Sequence, residues 1–232
     1  MPTLVGHRGA PTRRLENTVV SLLLARDQGA EAVEFDVRAT RDGHPVLLHD
    51  RTLERFWGRP ELVGELTLAE LRELRAAEEP EARLPTLGEV ADAVDLRLVV
   101  DGKDPDLVPT IVEVLRRHDA LSRSCFIGEP GVLGEVRRVL PDAEIILSWA
   151  GERPPPLELL DTIRPAALNL RWAGLSDETY RAVRELGHQI WTYCVDDAEQ
   201  ARRALRLGID AVITNDLPAV APVLAGVAEV GR

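Results

Sequence analysis

Short apolar runs of strand length alternate with stretches in which apolar positions recur every three or four residues, and the alternation continues almost to the C-terminus. Strands are expected at residues 4–7, 32–37, 96–101, 124–128, 144–149, 167–170, 189–194 and 211–214. Helices lie between them with recognisable ends. Asn17 or Thr18 opens the first and Gly29 stops it. Asp106 opens another, whose Val108, Ile111, Val112 and Leu115 share one face; helices over 176–186 and 197–207 end at Gly187 and Gly208. Eight βα units within 232 residues favour a (β/α)8 TIM-like barrel over an open doubly wound sheet.

Two features depart from plain repetition. Asp42-Gly43 between the extended segments 37–40 and 45–49 signals a two-residue hairpin, so the second segment should run antiparallel to the second strand. With that turn Arg41 faces His44, and counting outward sets Asp36 opposite His49. The second departure is a segment of about 51–85, which carries the capping box Thr67-Leu68-Ala69-Glu70 and lies ahead of another, Thr86-Leu87-Gly88-Glu89, that restarts the barrel pattern. Residues 1–232 therefore read as a single barrel domain with a small insertion after the second strand, over the barrel mouth.

Composition narrows the partners. Thirty-nine acidic against twenty-eight basic side chains give a net charge of −11, which argues against broad binding to nucleic acid or anionic membrane. An anionic ligand would have to be met locally. No apolar stretch is long enough for a membrane span and the first residues lack a leader pattern, so no stable membrane insertion and a cytoplasmic location are expected. Cys125 and Cys194 fall on different expected strands and suggest no disulfide framework. Twenty-seven of the basic residues are arginine; Lys103 is the single lysine, which suggests a position where a compact ammonium does what a planar guanidinium cannot.

In a parallel barrel the site is assembled from the C-terminal ends of the strands. Those ends are uneven here. The first strand closes in His7-Arg8-Gly9, the second carries Glu34 and Asp36, the hairpin returns with His49-Asp50, and the third closes in Asp101-Gly102-Lys103. Glu34 and Asp36 are two apart and share a strand face, with Val33, Phe35 and Val37 on the other. Two carboxylates side by side in a barrel repel unless something positive sits between them. Pairing with the abundant arginines is one answer; a divalent cation shared with Asp101 is the more economical one. Three hard oxygen donors and no cysteine suit Mg²⁺ or Ca²⁺, with Mn²⁺ a further candidate. His7 and His49 can transfer protons near neutral pH. Arg8 and Lys103 supply positive charge for a phosphate. Trp149, Trp172 and Trp191 sit near strand ends, where they could wall a pocket or pack the mouth.

His7-Arg8-Gly9, Glu16-Asn17-Thr18, Glu34-Phe35-Asp36-Val37, Thr40-Arg41-Asp42-Gly43 with Pro45-Val46, and His49-Asp50 resemble, in order and spacing, successive blocks of the glycerophosphodiester phosphodiesterases. Asp101-Gly102-Lys103, Thr86-Leu87, Trp191-Thr192 and Ile213-Thr214-Asn215-Asp216 extend the resemblance over nearly the whole chain. The resemblance implies a TIM-like barrel with the insertion already noted, and hydrolysis of small glycerophosphodiesters to glycerol 3-phosphate and an alcohol. It implies Glu34, Asp36 and Asp101 as metal ligands, His7 and His49 as the acid/base pair, Arg8 and Lys103 as phosphate clamps, and Trp191 as a substrate wall. Three positions depart from the family pattern: Asp101 where glutamate is common, Cys125-Phe126-Ile127-Gly128 where Ser-Phe and a polar residue are usual, and Tyr193-Cys194 where Val-Asn is usual.

Two other readings compete. A lipid-cleaving relative resembling lysophospholipase D or sphingomyelinase D shares the His, Glu, Asp and His core and often an aspartate as third ligand. The absent disulfide pattern and apolar docking segment stand against it. A non-catalytic barrel that binds phosphoesters is the third reading, and it would show no turnover with any metal.

Overall fold

Each expected apolar run forms a strand, and the parallel ladder closes on itself. The computed structural model describes residues 1–226 apart from Glu152 and Leu175. In chain order, the strands are β1 (Thr3–His7), β2 (Ala32–Ala39), β3 (Pro45–Leu47), β4 (Thr52–Leu53), β5 (Arg59–Leu62), β6 (Arg97–Gly102), β7 (Ser124–Gly128), β8 (Ile145–Trp149), β9 (Ala167–Arg171), β10 (Gln189–Tyr193) and β11 (Ala211–Thr214). The sheet runs β1-β11-β10-β9-β8-β7-β6-β2, and a β1–β2 ladder completes an eight-stranded parallel barrel, with β3 added antiparallel to β2.

Alternation along each strand divides two cores. The inward positions Val5, Ala32, Val99, Cys125, Ile146, Ala167, Trp191 and Ala211 fill the barrel. The outward positions Val33, Phe35, Val37, Leu98 and Val100 pack with apolar helix faces, among them Leu22 of α1 (Val19–Asp27). Thr18 caps α1, its hydroxyl accepting from the Ser21 amide. Residues 45–85 carry a cluster of their own, including Leu53, Leu71 and Trp57 of the short helix α2 (Glu54–Trp57). Both expected capping boxes are formed, at α3 (Leu68–Arg72) and α4 (Leu87–Ala93).

Helices α5 (Val108–Arg117), α6 (Pro130–Val139), α7 (Leu157–Ile163), α8 (Asp177–Arg184), α9 (Ala198–Leu207) and α10 (Leu217–Leu224) complete the outer ring. Asp104 rather than Asp106 makes the cap ahead of α5: its carboxylate accepts from the Asp106 amide and starts a 3₁₀ turn that leads into the helix. Among the described residues no helix is long and apolar enough to cross a membrane.

The hairpin differs from the sequence expectation by one residue. Thr40 pairs with His44 through Thr40 N–H to His44 O at 3.0 Å, and residues 41–43 form a three-residue loop with Gly43 at φ +82°. A type of turn that ends on a left-handed glycine competes with the two-residue turn for the same Asp-Gly pair. The slip places Val37 opposite Leu47, and it is Leu48, not His49, whose amide donates to Asp36 O.

Candidate active site

Strand register brings the chemistry-bearing groups to one end of the barrel. His7 pairs in register with Glu34, and Asp36 with Asp101. Ligand oxygens of Glu34, Asp36 and Asp101 lie within 4.8 Å of one another. Around them opens a cavity of about 440 Å³, lined also by Arg8, Lys103, His49, Arg38, Arg51, Ser148, Asn169 and Tyr193.

The backbone after β1 is held in an uncommon shape. Arg8 has φ +53° and Gly9 φ +94°, and a Cβ on Gly9 would lie 2.5 Å from the Ser21 backbone. Ser21 Oγ fastens this turn, donating to Arg8 O at 3.2 Å and accepting from the Ala10 amide at 2.9 Å. Gly9→Ala is therefore expected to cost about 1–3 kcal/mol through strain alone, read as a lower melting temperature. An unchanged melting temperature would show that the turn relaxes freely.

Asp36 is the best-held carboxylate. It receives Lys103 Nζ at 2.6 Å and Asn17 Nδ2 at 2.9 Å, and Arg8 Nε stands 3.1 Å from its Oδ2 as an ion pair too bent for a hydrogen bond. Burial opposes its charge, but Lys103 and Arg8 outweigh that and push its pKa down to about 2. Glu34 lacks such partners: its Oε2 has the Arg8 amide at 3.3 Å and His7 Nε2 at 3.7 Å. Burial, then repulsion from Asp36 and Asp101, raises Glu34 well above the usual carboxylate range. Asp101 is pushed up to about 6 by burial and Asp36, although Lys103 Nζ lies 2.5 Å from its Oδ2.

This donor set fits a divalent cation. Three clustered carboxylates, one of them paired with neither lysine nor arginine in a buried setting, are hard oxygen ligands that lack sufficient positive charge. They form a candidate divalent-cation site. Lys103 and Arg8, expected as phosphate clamps, are instead engaged by carboxylates: Lys103 by Asp36 and Asp101, Arg8 by Asp36 and by Glu16 at 3.0 Å. Charge added to the acidic cluster would release them toward an anion.

Each histidine has a fixed partner on Nδ1. His7 Nδ1 lies 2.7 Å from Asn215 Oδ1, and Asn215 donates its Nδ2 to Asp196 Oδ2 at 2.8 Å. That second bond orients the amide, so the Asn215 oxygen meets the ring and His7 Nδ1 is the donor, leaving Nε2 toward Glu34. Burial lowers the affinity of His7 for a second proton, and its contacts with Cys194 Sγ at 3.6 Å and Asn215 outweigh this, setting its pKa above the ordinary value. His49 Nδ1 lies 2.7 Å from Asp50 Oδ1; Asp50 in turn accepts from Arg55 of α2, which also reaches Glu16. The inserted segment thus ties the two histidine-bearing loops together. Arg38 holds the His49 carbonyl with two donors, at 2.9 and 2.7 Å.

Seven of the expected site residues meet at the cavity, and Trp191 does not. It is 3% exposed within the barrel interior, beside Val99 and Ala211. Tyr193, two residues on along the same face, reaches the cavity instead. Trp149 donates its indole N–H to Arg153 O, and Trp172 lies under the Arg203 guanidinium at 4.8 Å. Cys125 is likewise sealed in the barrel floor, where burial pushes its thiol up to about 12. Sequence reasoning passed over Arg38, Ser148, Asn169 and the Asp196–Asn215 pair. Their signal was slight: Arg38 follows Asp36 by two, and Ser148 and Asn169 are polar breaks in apolar strands.

Comparison with known proteins gives consistent matches. The model of the glycerophosphoryl diester phosphodiesterase family matches residues 7–219. A glycerophosphodiester phosphodiesterase of Caldanaerobacter subterraneus subsp. tengcongensis is 26% identical over 93% of this chain and 95% of its own. A phosphodiesterase of Oleispira antarctica, solved with its product sn-glycerol 3-phosphate, superposes with a TM-score of 0.88 at 24% identity, covering 99% of this chain and 98% of that one. A glycerophosphodiester phosphodiesterase of Thermotoga maritima superposes at 0.79 with 25% identity over 99% of both chains.

Proposed function

This chain belongs to the glycerophosphoryl diester phosphodiesterase family, and from that premise we propose that it hydrolyses glycerophosphodiesters to glycerol 3-phosphate and an alcohol. The observation that carries the reading is the meeting of three carboxylates, two cations and two histidines at one end of a closed barrel. Residues 1–232 act as one catalytic barrel with the segment of about 51–85 inserted. The two unpaired thiols support a cytoplasmic setting.

Glu34, Asp36 and Asp101 would hold the divalent cation, Mg²⁺ or Ca²⁺ by their hard oxygen donors. When bound, that ion supplies Lewis-acid charge against the charge that develops on the phosphate. Arg8 and Lys103 bind and orient the phosphate oxygens at the same edge. One histidine takes the proton of the attacking glycerol 2-hydroxyl while the other protonates the departing alcohol oxygen; water then opens the resulting cyclic phosphodiester with the roles reversed. His7 is held for this by Asn215 and Asp196, and His49 by Asp50.

The experiment is release of glycerol 3-phosphate from glycerophosphocholine and glycerophosphoethanolamine, in EDTA and then with Mg²⁺, Mn²⁺ or Ca²⁺ restored. Metal-dependent release is expected. Absence of release with every metal would sink the reading, and turnover of a lysophospholipid in its place would favour the lipid-cleaving relative.

Lys103 gives a sharper check. Its single ammonium nitrogen bridges Asp36 and Asp101 at 2.6 and 2.5 Å, and the bulkier planar guanidinium could take its place only by moving the carboxylates. Lys103→Arg is expected to raise KM and lower kcat by about tenfold each. Steady-state kinetics matching the unmodified enzyme would show that the single lysine is replaceable.

A further inference from the structure

The groups assigned to the phosphate come from one side of the barrel. Arg8 follows β1, the carboxylates sit on β2 and β6, and Lys103 follows β6. In the closed strand order β9 stands four strands from β2 in either direction, so the facing wall of the mouth is built by β8, β9 and β10. The cavity-lining residues of those three strands are Ser148, Asn169 and Tyr193, all uncharged.

Ser148 and Asn169 are neighbours in the β8–β9 register, and Asn169 Nδ2 donates to Ser148 Oγ at 3.2 Å. Asn169 is 3% exposed, yet its Oδ1 has no hydrogen-bond partner in the protein. A buried amide oxygen left unpaired costs about 1–3 kcal/mol. Because Ser148 Oγ accepts from the amide, its own O–H is left to donate, and none of the described residues accepts it. Turning the amide over exchanges the two roles and still leaves one amide atom unmet. The pair therefore offers one donor and one acceptor side by side, half-buried Ser148 next to buried Asn169, on strands whose cavity-lining side chains are uncharged.

We propose that Ser148 and Asn169 bind the hydroxyl groups of the substrate's glycerol moiety. A hydroxyl is both donor and acceptor and carries no charge, which matches this wall. Charge borders it only at Glu129, which follows β7 and lines the cavity beside β8. The departing alcohol then lies on the open side, beside His49. The assignment rests on the phosphodiesterase reading above and adds to it where the glycerol lies.

The test compares two phosphates that differ only in their hydroxyls. Binding of sn-glycerol 3-phosphate and of n-propyl phosphate is measured by calorimetry in saturating Mg²⁺, for the native enzyme, Ser148→Ala and Asn169→Leu. The native enzyme is expected to prefer glycerol 3-phosphate by at least about tenfold, since a site built to hydrogen-bond hydroxyls discriminates against the analogue without them. In each variant the preference should fall to about threefold or less, with propyl phosphate affinity unchanged within about twofold. Equal binding of the two phosphates by the native enzyme, binding of neither, or a preference kept in Ser148→Ala would overturn the assignment. Parallel weakening of both ligands would also overturn it, because it places the pair in the anion site. Should Asn169→Leu not fold, Ser148→Ala decides alone. A native enzyme that shows the preference but releases no glycerol 3-phosphate from any glycerophosphodiester would end the reaction reading and leave the hydroxyl subsite standing; release with equal binding would do the reverse.

Discussion

His7→Ala and His49→Ala are each expected to lower turnover of glycerophosphocholine by about 10² to 10⁴ while the barrel stays folded, the range for loss of one positioned proton-transfer group. The fold is expected to survive because neither ring is part of the barrel packing. His7 sits at the last residue of β1 and contacts Asn215, Cys194 and Glu34 through ring nitrogens. His49 lies past the end of β3 with Asp50 as its partner. The Asp196–Asn215 bonds remain in His7→Ala, so the loss is about one hydrogen bond, roughly 1 kcal/mol. Turnover and melting temperature together decide the matter. Native turnover in either variant would remove that histidine from the chemistry, and unfolding would make its role structural.

The second large effect separates two carboxylates that sequence reasoning treats alike. Asp36→Asn and Glu34→Gln should both abolish most metal-dependent turnover, yet shift the stability of the protein in EDTA in opposite directions. Asp36 holds Lys103 and Arg8 in a buried setting, so its neutral analogue leaves two cations short of a partner at a cost of about 3 kcal/mol. For a chain of this length that corresponds to a fall of roughly 6–12 °C in melting temperature. Glu34 is buried, repelled by Asp36 and Asp101, and paired with neither lysine nor arginine, so glutamine relieves a cost and should raise the melting temperature by roughly 2–6 °C. Excess Mg²⁺ should then stabilise the native enzyme, by about 2.7 kcal/mol at a hundredfold excess over Kd, and Glu34→Gln much less. A fall in stability for Glu34→Gln in EDTA would contradict a cluster short of positive charge.

The pH dependence of the Asp36 effect has a definite sign. Its folded value of about 2 is depressed below the ordinary 3.8, so its stabilisation is complete above about pH 4 and is lost as pH falls through about 2. The gap between native and Asp36→Asn melting temperatures should close over that window. A gap that persisted at pH 2 would assign the difference to packing rather than charge.

The network around His49 gives the inserted segment a structural connection to the site. Arg55 of α2 bonds both Asp50 and Glu16, and Glu16 in turn pairs with Arg8, so one arginine from the insertion connects the histidine on the hairpin side to the phosphate-side arginine. The segment and the site are thereby linked through half-buried Arg8, Glu16 and Asp50 and exposed Arg55.

What the sequence determined by itself is local. Period-two alternation placed Glu34 and Asp36 on one strand face and Val33, Phe35 and Val37 on the other, and the spacing of caps and glycines marked where helices such as α9 begin and end. Eight such units, closed by the pairing of first and second strands, make the barrel and bring its strand ends to one rim. The tertiary structure alone decided whatever depends on how separate segments meet. The hairpin register turned on whether Gly43 ends a two- or three-residue loop, a choice of backbone conformation that the Asp-Gly pair permits either way. Which of Trp191 and Tyr193 reaches the mouth depends on the stagger of β10 against its neighbours, since both lie on the same face. The engagement of Lys103 and Arg8 by carboxylates, the support of His7 by Asn215 and Asp196, and the meeting of Ser148 with Asn169 all join residues on different elements. Their physical cause is interstrand register and barrel closure, and neither leaves a periodic trace along the chain.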